Sequence, residues 1–261
     1  MISFLSGCRS VPFIKSETDY GVYLSDDYEA LPGNLSTDLL VIDAQYFTAE
    51  EIAALHETNG RIYSYINVGA VENFRAYYED YPDLTLGPYE NWPEERFVDV
   101  SDKRWQDFIV NELASELQEK GIDGFFVDNA DVYYEYRTQE IFDGLTEILK
   151  GLKDTGLSVI INGGDVFVSG YYEKNGRLED ILDGVNQEFV FTSVNWEQGT
   201  FGKSDEDSEN YYLEYLKTVQ VSGAEIFLME YTDDPGMAEQ ILEKADELGY
   251  SVYISDSIEL D

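Results

Sequence analysis

The chain has 261 residues, 43% hydrophobic and 15% aromatic, which is enough to build a large core and excludes a globally disordered protein. Sixteen Lys and Arg stand against 54 Asp and Glu, a formal net charge of −38. With no basic stripe to neutralise phosphates, neither nucleic acid nor an anionic membrane is an expected partner, whereas a polycationic ligand, a saline medium or simple solubility each accounts for the acid excess.

Residues 1–12 read as an N-terminal lead to one domain spanning 13–261. The single cysteine, Cys8, leaves no intrachain disulfide and no cysteine-based metal cage. Leu5-Ser6-Gly7-Cys8 resembles the lipobox of bacterial lipoproteins, so lipid attachment through Cys8 and an extracellular or cell-surface location are expected. The apolar run before it is shorter than a signal peptide needs and lacks a basic start, so either the start codon is placed too late, the favoured reading, or the match is chance. No stretch approaches the ~20 apolar residues of a membrane span.

After the lead, Gly21–Leu24 is a candidate first strand and Leu39–Asp43 a clear second. Thr48 and Glu51 have the spacing of a capping box and open a helix that Asn59-Gly60 closes. Ile62–Asn67 is the third strand. Val71–Glu95 follows, rich in aromatics and prolines and too long for a routine connection. Arg96–Val100 is a short strand-like run, and a helix from Asp102 to Lys120 leads to Phe125–Val127, the fourth strand, which exits into Asp128-Asn129-Ala130-Asp131. A helix over 139–153 precedes the fifth strand, Ser158–Asn162. Gly184–Phe189 is the sixth strand, followed by a second irregular segment, Thr192–Asp207. A helix over 209–221 leads to the seventh strand, Glu225–Glu230, and a helix over 237–248 to the eighth, Tyr250–Ile254. Eight strands alternating with helices predict an α/β fold, a single (β/α)8 TIM barrel with enlarged βα loops. A doubly wound sheet would carry a glycine-rich phosphate loop after its first strand, and none is present.

In such a barrel the chemistry sits where strands exit. Asp43, Asn67 with Glu72 beyond it, Asp128 with Asn129 and Asp131, Asn162, Glu188, Glu230 with Asp233, and Asp256 all fall there. The lone histidine, His56, lies in a helix, so a Ser-His-Asp triad or a His-rich zinc site lacks its parts, and no cofactor or metal is expected. Paired carboxylates suit glycoside hydrolysis, in which one protonates the leaving oxygen and the other stabilises or attacks the oxocarbenium-like centre. Crowded acids also raise the pKa of the least solvated among them. Among the loop aromatics Tyr78, Tyr89, Trp92 and Trp196, stacking on sugar rings and ordinary packing are both open readings.

The sequence resembles glycoside hydrolase family 114, the endo-α-1,4-polygalactosaminidase family. The resemblance rests on Tyr65-Ile66-Asn67-Val68-Gly69 with Glu72 and Arg75, on Gly121 to Asp128 with Asp131, on Asn162-Gly163 and on Glu188, and covers the chain from about Val22 onward. It implies catalytic carboxylates after the fourth and sixth strands, Asp128 and Glu188; analogy with retaining α-glycosidases of similar layout makes Asp128 the nucleophile and Glu188 the general acid/base, with a spacing of about 5 Å expected for retention and one beyond ~6.5 Å for inversion. Asp43, Tyr65, Asn67, Glu72, Asn129, Asp131, Asn162, Trp196, Glu230 and Asp233 are the expected substrate-binding residues. The implied partner is a polysaccharide or oligosaccharide, cationic when deacetylated, acted on by a monomer. Where the family pattern has a polar residue after the glycine, this chain has Ala70, and the first strand lacks the family's Trp and Gln. Two other readings compete: a non-catalytic carbohydrate-binding barrel at the cell surface, and a divalent-metal phosphohydrolase with Asp43, Asp128, Asp131 and Glu230 as oxygen ligands.

Overall fold

A computed structural model of the chain describes residues 19–24, 28–89 and 92–260. The lead 1–12, and Cys8 with it, lies outside the described residues. The strands in chain order are β1 (Tyr20–Tyr23), β2 (Leu39–Ile42), β3 (Arg61–Asn67), β4 (Ala70–Glu72), β5 (Thr85–Pro88), β6 (Glu95–Val98), β7 (Gly124–Asp128), β8 (Ser158–Asn162), β9 (Gly184–Glu188), β10 (Thr192–Asn195), β11 (Thr200–Lys203), β12 (Glu225–Tyr231) and β13 (Ser251–Ser255). Eight of them form one parallel sheet in the order β1, β2, β3, β7, β8, β9, β12, β13. At its seam Leu24 N–H donates to Leu260 O at 2.8 Å, and the Tyr23 and Tyr253 rings pack 5.6 Å apart, so the sheet curls into a nearly closed barrel.

The helices α1 (Ala49–Leu55), α2 (Lys103–Asp107), α3 (Ala114–Glu119), α4 (Val132–Glu135), α5 (Gln139–Asp154), α6 (Asp165–Asn175), α7 (Glu206–Val221) and α8 (Pro235–Leu248) connect the strands. The capping box at α1 forms as expected: Thr48 Oγ1 accepts from Glu51 N–H, and Glu51 reaches back to Thr48 N–H at 2.8 Å. The helix expected over 102–120 is interrupted by a π-helical stretch, Phe108–Leu113, where Ala114 N–H bonds to Ile109 O.

Strand periodicity sorts the apolar residues into two layers. Tyr20, Val22, Leu39, Val41, Tyr63, Tyr65, Phe126, Ile160, Phe227 and Met229 fill the barrel, while Leu40, Ile42, Ile62, Ile66, Phe125, Val127, Val159, Ile161 and Leu228 face the helices. Gly124 makes room inside, since a Cβ there would stand 2.6 Å from Cζ of Tyr63.

Both irregular segments are more ordered than their sequences indicate. The first holds the antiparallel sheet β4-β6-β5, and the second the hairpin β10–β11. Helix α6 was not expected, because the glycines around it dilute its apolar stripe of Phe167, Val168 and Tyr171. The preceding Gly163 and Gly164 take φ of 62° and 65°, which glycine adopts at no steric cost, and turn the chain from β8 into it.

Candidate active site

The strand exits open into a cavity of about 740 Å³. Among the described residues its lining carries eight acidic side chains against one basic one, Arg75. At its floor, Asp128 closes β7 in phase with Phe126, and Glu188 closes β9, so both point inward. Asn162, at the end of β8 between them, donates from one amide nitrogen to Asp128 Oδ1 at 3.0 Å and to Glu188 Oε1 at 2.9 Å. Those two oxygens are therefore less than about 6 Å apart, and the ~120° divergence of two amide N–H bonds places them about 5 Å apart. The Asn162 oxygen is fixed in turn by Asn186 Nδ2 at 2.6 Å, and Asn186 Oδ1 by the buried Tyr20 hydroxyl at 3.0 Å. This relay inside the barrel orients the amide that spans the pair.

The two carboxyls differ in surroundings. Burial raises Asp128, while Asn162, the Asn129 backbone N–H and the Tyr65 hydroxyl oppose the shift. Burial, reinforced by the charge of Asp128, pushes Glu188 up to about 7, against donors from Asn162 and from the Tyr231 hydroxyl at 2.8 Å. The residue after each carboxylate is left-handed: Asn129 has φ 61° and Phe189 φ 58°. Asparagine tolerates that conformation, whereas for phenylalanine it is strained, and strain of this kind gathers at functional sites. The Phe189 ring stacks on Tyr231 at 4.8 Å, which offsets part of the strain.

The other expected residues divide into three groups. Asp43, Tyr65, Glu72, Asn129, Asp131, Asn162 and Trp196 line the cavity with the pair. Asp131 accepts from Gly164 N–H at 3.2 Å and is pushed up to about 7 by burial and by the neighbouring Asp128 charge. Asp43 and Glu72 hold Arg75 at 2.7 Å and 3.0 Å. Trp196 arrives on the β10–β11 hairpin and meets Trp92 edge to face at 6.1 Å. Asn67 stands one layer behind, donating to Glu95 Oε2 at 3.3 Å and accepting from Ala70 N–H at 2.8 Å.

Glu230 and Asp233 are not brought to the cavity. Inward positions on β12 are Phe227, Met229 and Tyr231, so Glu230 faces outward, fully buried, and accepts from Phe191 N–H, Thr192 N–H and Thr192 Oγ1. It anchors the base of the hairpin that carries Trp196. Asp233 is an exposed residue beyond the strand.

Four residues of the site went unread in the sequence: Glu95, Asn186, Tyr20 and Tyr231. The β12 alternation, carried one residue further, would have found Tyr231. Glu95 gave no signal, because it reaches the cavity through the fold of a loop sheet. Its carboxylate accepts from Asn129 Nδ2 at 2.9 Å, and burial together with the charge of Glu72 pushes it up to about 8.

A parallel barrel with two carboxylates converging at its strand exits about 5 Å apart has the layout of a glycoside hydrolase. The sequence matches glycoside-hydrolase family GH114 over residues 9–261, and the chain belongs to that family. Its fold is similar to that of the glycoside hydrolase domain of PelA from Pseudomonas aeruginosa, with a TM-score of 0.77, 19% identity, and 93% of this chain and 95% of that one covered. It is also similar to Aspergillus fumigatus Ega3 in complex with galactosamine, with a TM-score of 0.72, 13% identity, and 94% and 93% covered. The uncharacterized protein MJ1477 of Methanocaldococcus jannaschii is 22% identical over 236 residues, which are 81% of this chain and 65% of that protein's length. Among the described residues no helix is long and apolar enough to cross a membrane.

Proposed function

We propose that the chain is a retaining glycosidase acting on an α-linked amino-sugar polymer, α-1,4-polygalactosamine being the favoured substrate, with Asp128 as nucleophile and Glu188 as general acid/base. The observation that carries the reading is the Asn162 amide held by both carboxylates, because it sets their separation near the ~5–5.5 Å that suits a covalent intermediate rather than the ~6.5–9.5 Å that leaves room for a water. Asp128 collects the larger set of donors to its charged form and so serves as the anion. Glu188, at about 7, holds a proton in a useful fraction of molecules near neutrality.

In the first step Asp128 attacks the anomeric carbon, and the glycosidic C–O bond breaks as Glu188 protonates the departing oxygen. In the second, Glu188 takes a proton from water. The hydroxyl oxygen bonds to the anomeric carbon, and the ester to Asp128 breaks, restoring both groups. An amino-sugar substrate is supported by the acidic lining and by the galactosamine bound to Ega3. The phosphohydrolase reading is disfavoured by its donors, since Glu230 faces away and Asp43 is committed to Arg75. An extracellular or surface location and a monomeric state belong to this proposal as the conditions a polymer substrate suits.

Mass spectrometry of deacetylated α-1,4-galactosamine oligomers tests it. Shorter oligomers from wild type, with Asp128→Asn and Glu188→Gln slower by about 100-fold or more, are expected. No cleavage by wild type would remove the substrate, and cleavage surviving in both variants would remove the catalytic pair.

A further inference from the structure

Asn162 holds Asp128 from the β8 side, and a second clamp stands on the β3 side. Glu95 opens β6, opposite Glu72 of β4 in the antiparallel loop sheet, and lines the cavity. Its Oε2 accepts from two side-chain amides at once, Asn129 Nδ2 at 2.9 Å and Asn67 Nδ2 at 3.3 Å. Asn129 directly follows Asp128, and Asn67 is the residue paired with Asp128 across the β3–β7 ladder. Glu95 therefore ties the ends of β3 and β7 together at the level of Asp128, although it belongs to neither strand.

The backbone shows what such a tie secures. Asn129 has φ 61°, and a residue other than glycine stays in that region only where its surroundings hold it. Its carbonyl accepts from Val132 N–H at 3.1 Å as α4 begins, and lies so close to the β3–β4 turn that a Cβ on Gly69 would stand 1.8 Å from the oxygen. The carbonyl of Asp128 accepts from Val68 N–H at 3.2 Å. Glu95 adds the hold on the Asn129 side chain. The peptide joining Asp128 to Asn129 is thus fixed at both ends, and its N–H supports the charged form of the Asp128 carboxyl.

We infer that Glu95 is a positioning residue for the nucleophile: by accepting from Asn129 it locks the peptide after Asp128 and so holds that carboxylate on line with the anomeric carbon. The role requires an acceptor oxygen and no charge. Burial, with the charges of Glu72 and Asp128, pushes the Glu95 carboxyl up to about 8, so near neutrality it is mostly protonated and still accepts through one oxygen. The inference rests on the proposed role of Asp128, and one of its two readouts does not require turnover.

The test compares Glu95→Ala, which removes the acceptor, with Glu95→Gln, which keeps one. Each is made alone and together with Asn129→Gly, which removes the amide that Glu95 holds and takes a left-handed φ without steric cost. On galactosamine oligomers Glu95→Ala is expected to lower kcat about 10–100-fold with KM within about threefold, and Glu95→Gln to recover most of that loss. Beside Asn129→Gly the same alanine substitution is expected to change kcat by less than about twofold. The second readout is an NMR titration of the Asp128 carboxyl carbon, assigned by its absence from Asp128→Asn. Its midpoint is expected to lie about one pH unit higher in Glu95→Ala than in Glu95→Gln. Both variants lose the same ionisable group, and Tyr65, Glu72, Asp131 and Glu188, which otherwise act on Asp128, are common to both.

Glu95→Met fills the space without an acceptor and replaces the alanine variant if circular dichroism shows that one unfolded. Equal losses in the Ala and Gln variants, or equal losses with and without the Asn129 side chain, would overturn the inference. So would a raised KM at unchanged kcat, which would make Glu95 a substrate contact. The titration shift without cleavage by wild type would leave the positioning standing and remove the catalytic reading. Cleavage with no shift would do the reverse.

Discussion

Replacing Asn162 by alanine perturbs the active site where its geometry is most constrained. The amide serves Asp128 at 3.0 Å and Glu188 at 2.9 Å, and each bond favours the ionised form of its acceptor. Removing both therefore moves both carboxyls upward. A hydrogen bond to a charged group is worth about 1.5–3 kcal/mol, and 1.36 kcal/mol corresponds to one pH unit. Glu188 is thus expected to rise by about one unit or more from its starting value of about 7, with Asp128 moving the same way. In the proposed mechanism Asp128 acts as the anion, so the acid limb of the kcat/KM profile is expected to shift upward by about one unit, and the maximum to fall about 10–100-fold as the pair loses its fixed spacing. The assay is kcat/KM on galactosamine oligomers from about pH 4 to about pH 9, with circular dichroism to confirm the fold. A uniformly lowered but unshifted profile would refute the reasoning, since the amide would then support structure without tuning the charges. Unchanged activity would remove Asn162 from the site.

Three further outcomes are expected. Glu95 is raised to about 8, and Asp131, Glu188 and Glu230 to about 7, all above the ordinary range of an unfolded chain. The stability such groups contribute is fully present below their unfolded pKa and is lost as pH rises through the folded values. Melting temperature should accordingly be several degrees higher near pH 5.5 than near pH 8.5 in matched salt, and a flat or inverted trend in scanning calorimetry would contradict this. Glu230→Gln replaces one of the two accepting oxygens by an amide N–H₂ that faces a donor, either Phe191 N–H or the Thr192 pair, and is expected to cost about 1–3 kcal/mol in urea unfolding, while raising KM through a loosened Trp196 hairpin. Unchanged stability would show that the hairpin is anchored otherwise. Gly124→Ala forces a Cβ to within 2.6 Å of Tyr63 inside the barrel and is expected to destabilise by about 1–3 kcal/mol, with a neutral result meaning that the ring can move.

Amino-acid order by itself determined the barrel and the ring of polar residues at its strand exits, while the pairing of Asp128 with Glu188 was what the family resemblance implied. Short β-branched apolar runs such as Val159-Ile160-Ile161, bounded by turn residues, suit strands buried on both faces, and the intervening amphipathic stretches with their caps suit helices packed outside them. Asp128 and Asn162 fell at the mouth because each ends such a run in phase with an inward neighbour, Phe126 and Ile160. Glu230 shows the limit of that reasoning: it also stands at a strand end, but alternation with Met229 and Tyr231 turns it outward. A one-residue difference in where a strand stops reverses the face, and strand ends are what local sequence marks least sharply.

Only the tertiary structure decided the rest. Asn186 and Tyr20 are 166 positions apart, and no local pattern couples them into the relay behind Asn162. The opposition of Glu72 and Glu95 arises from antiparallel pairing within a loop whose composition reads as irregular. Periodicity records which side of an element meets water, because burial is a property of each residue. The meeting of two distant side chains depends on how whole elements pack, and that information is spread over the entire core.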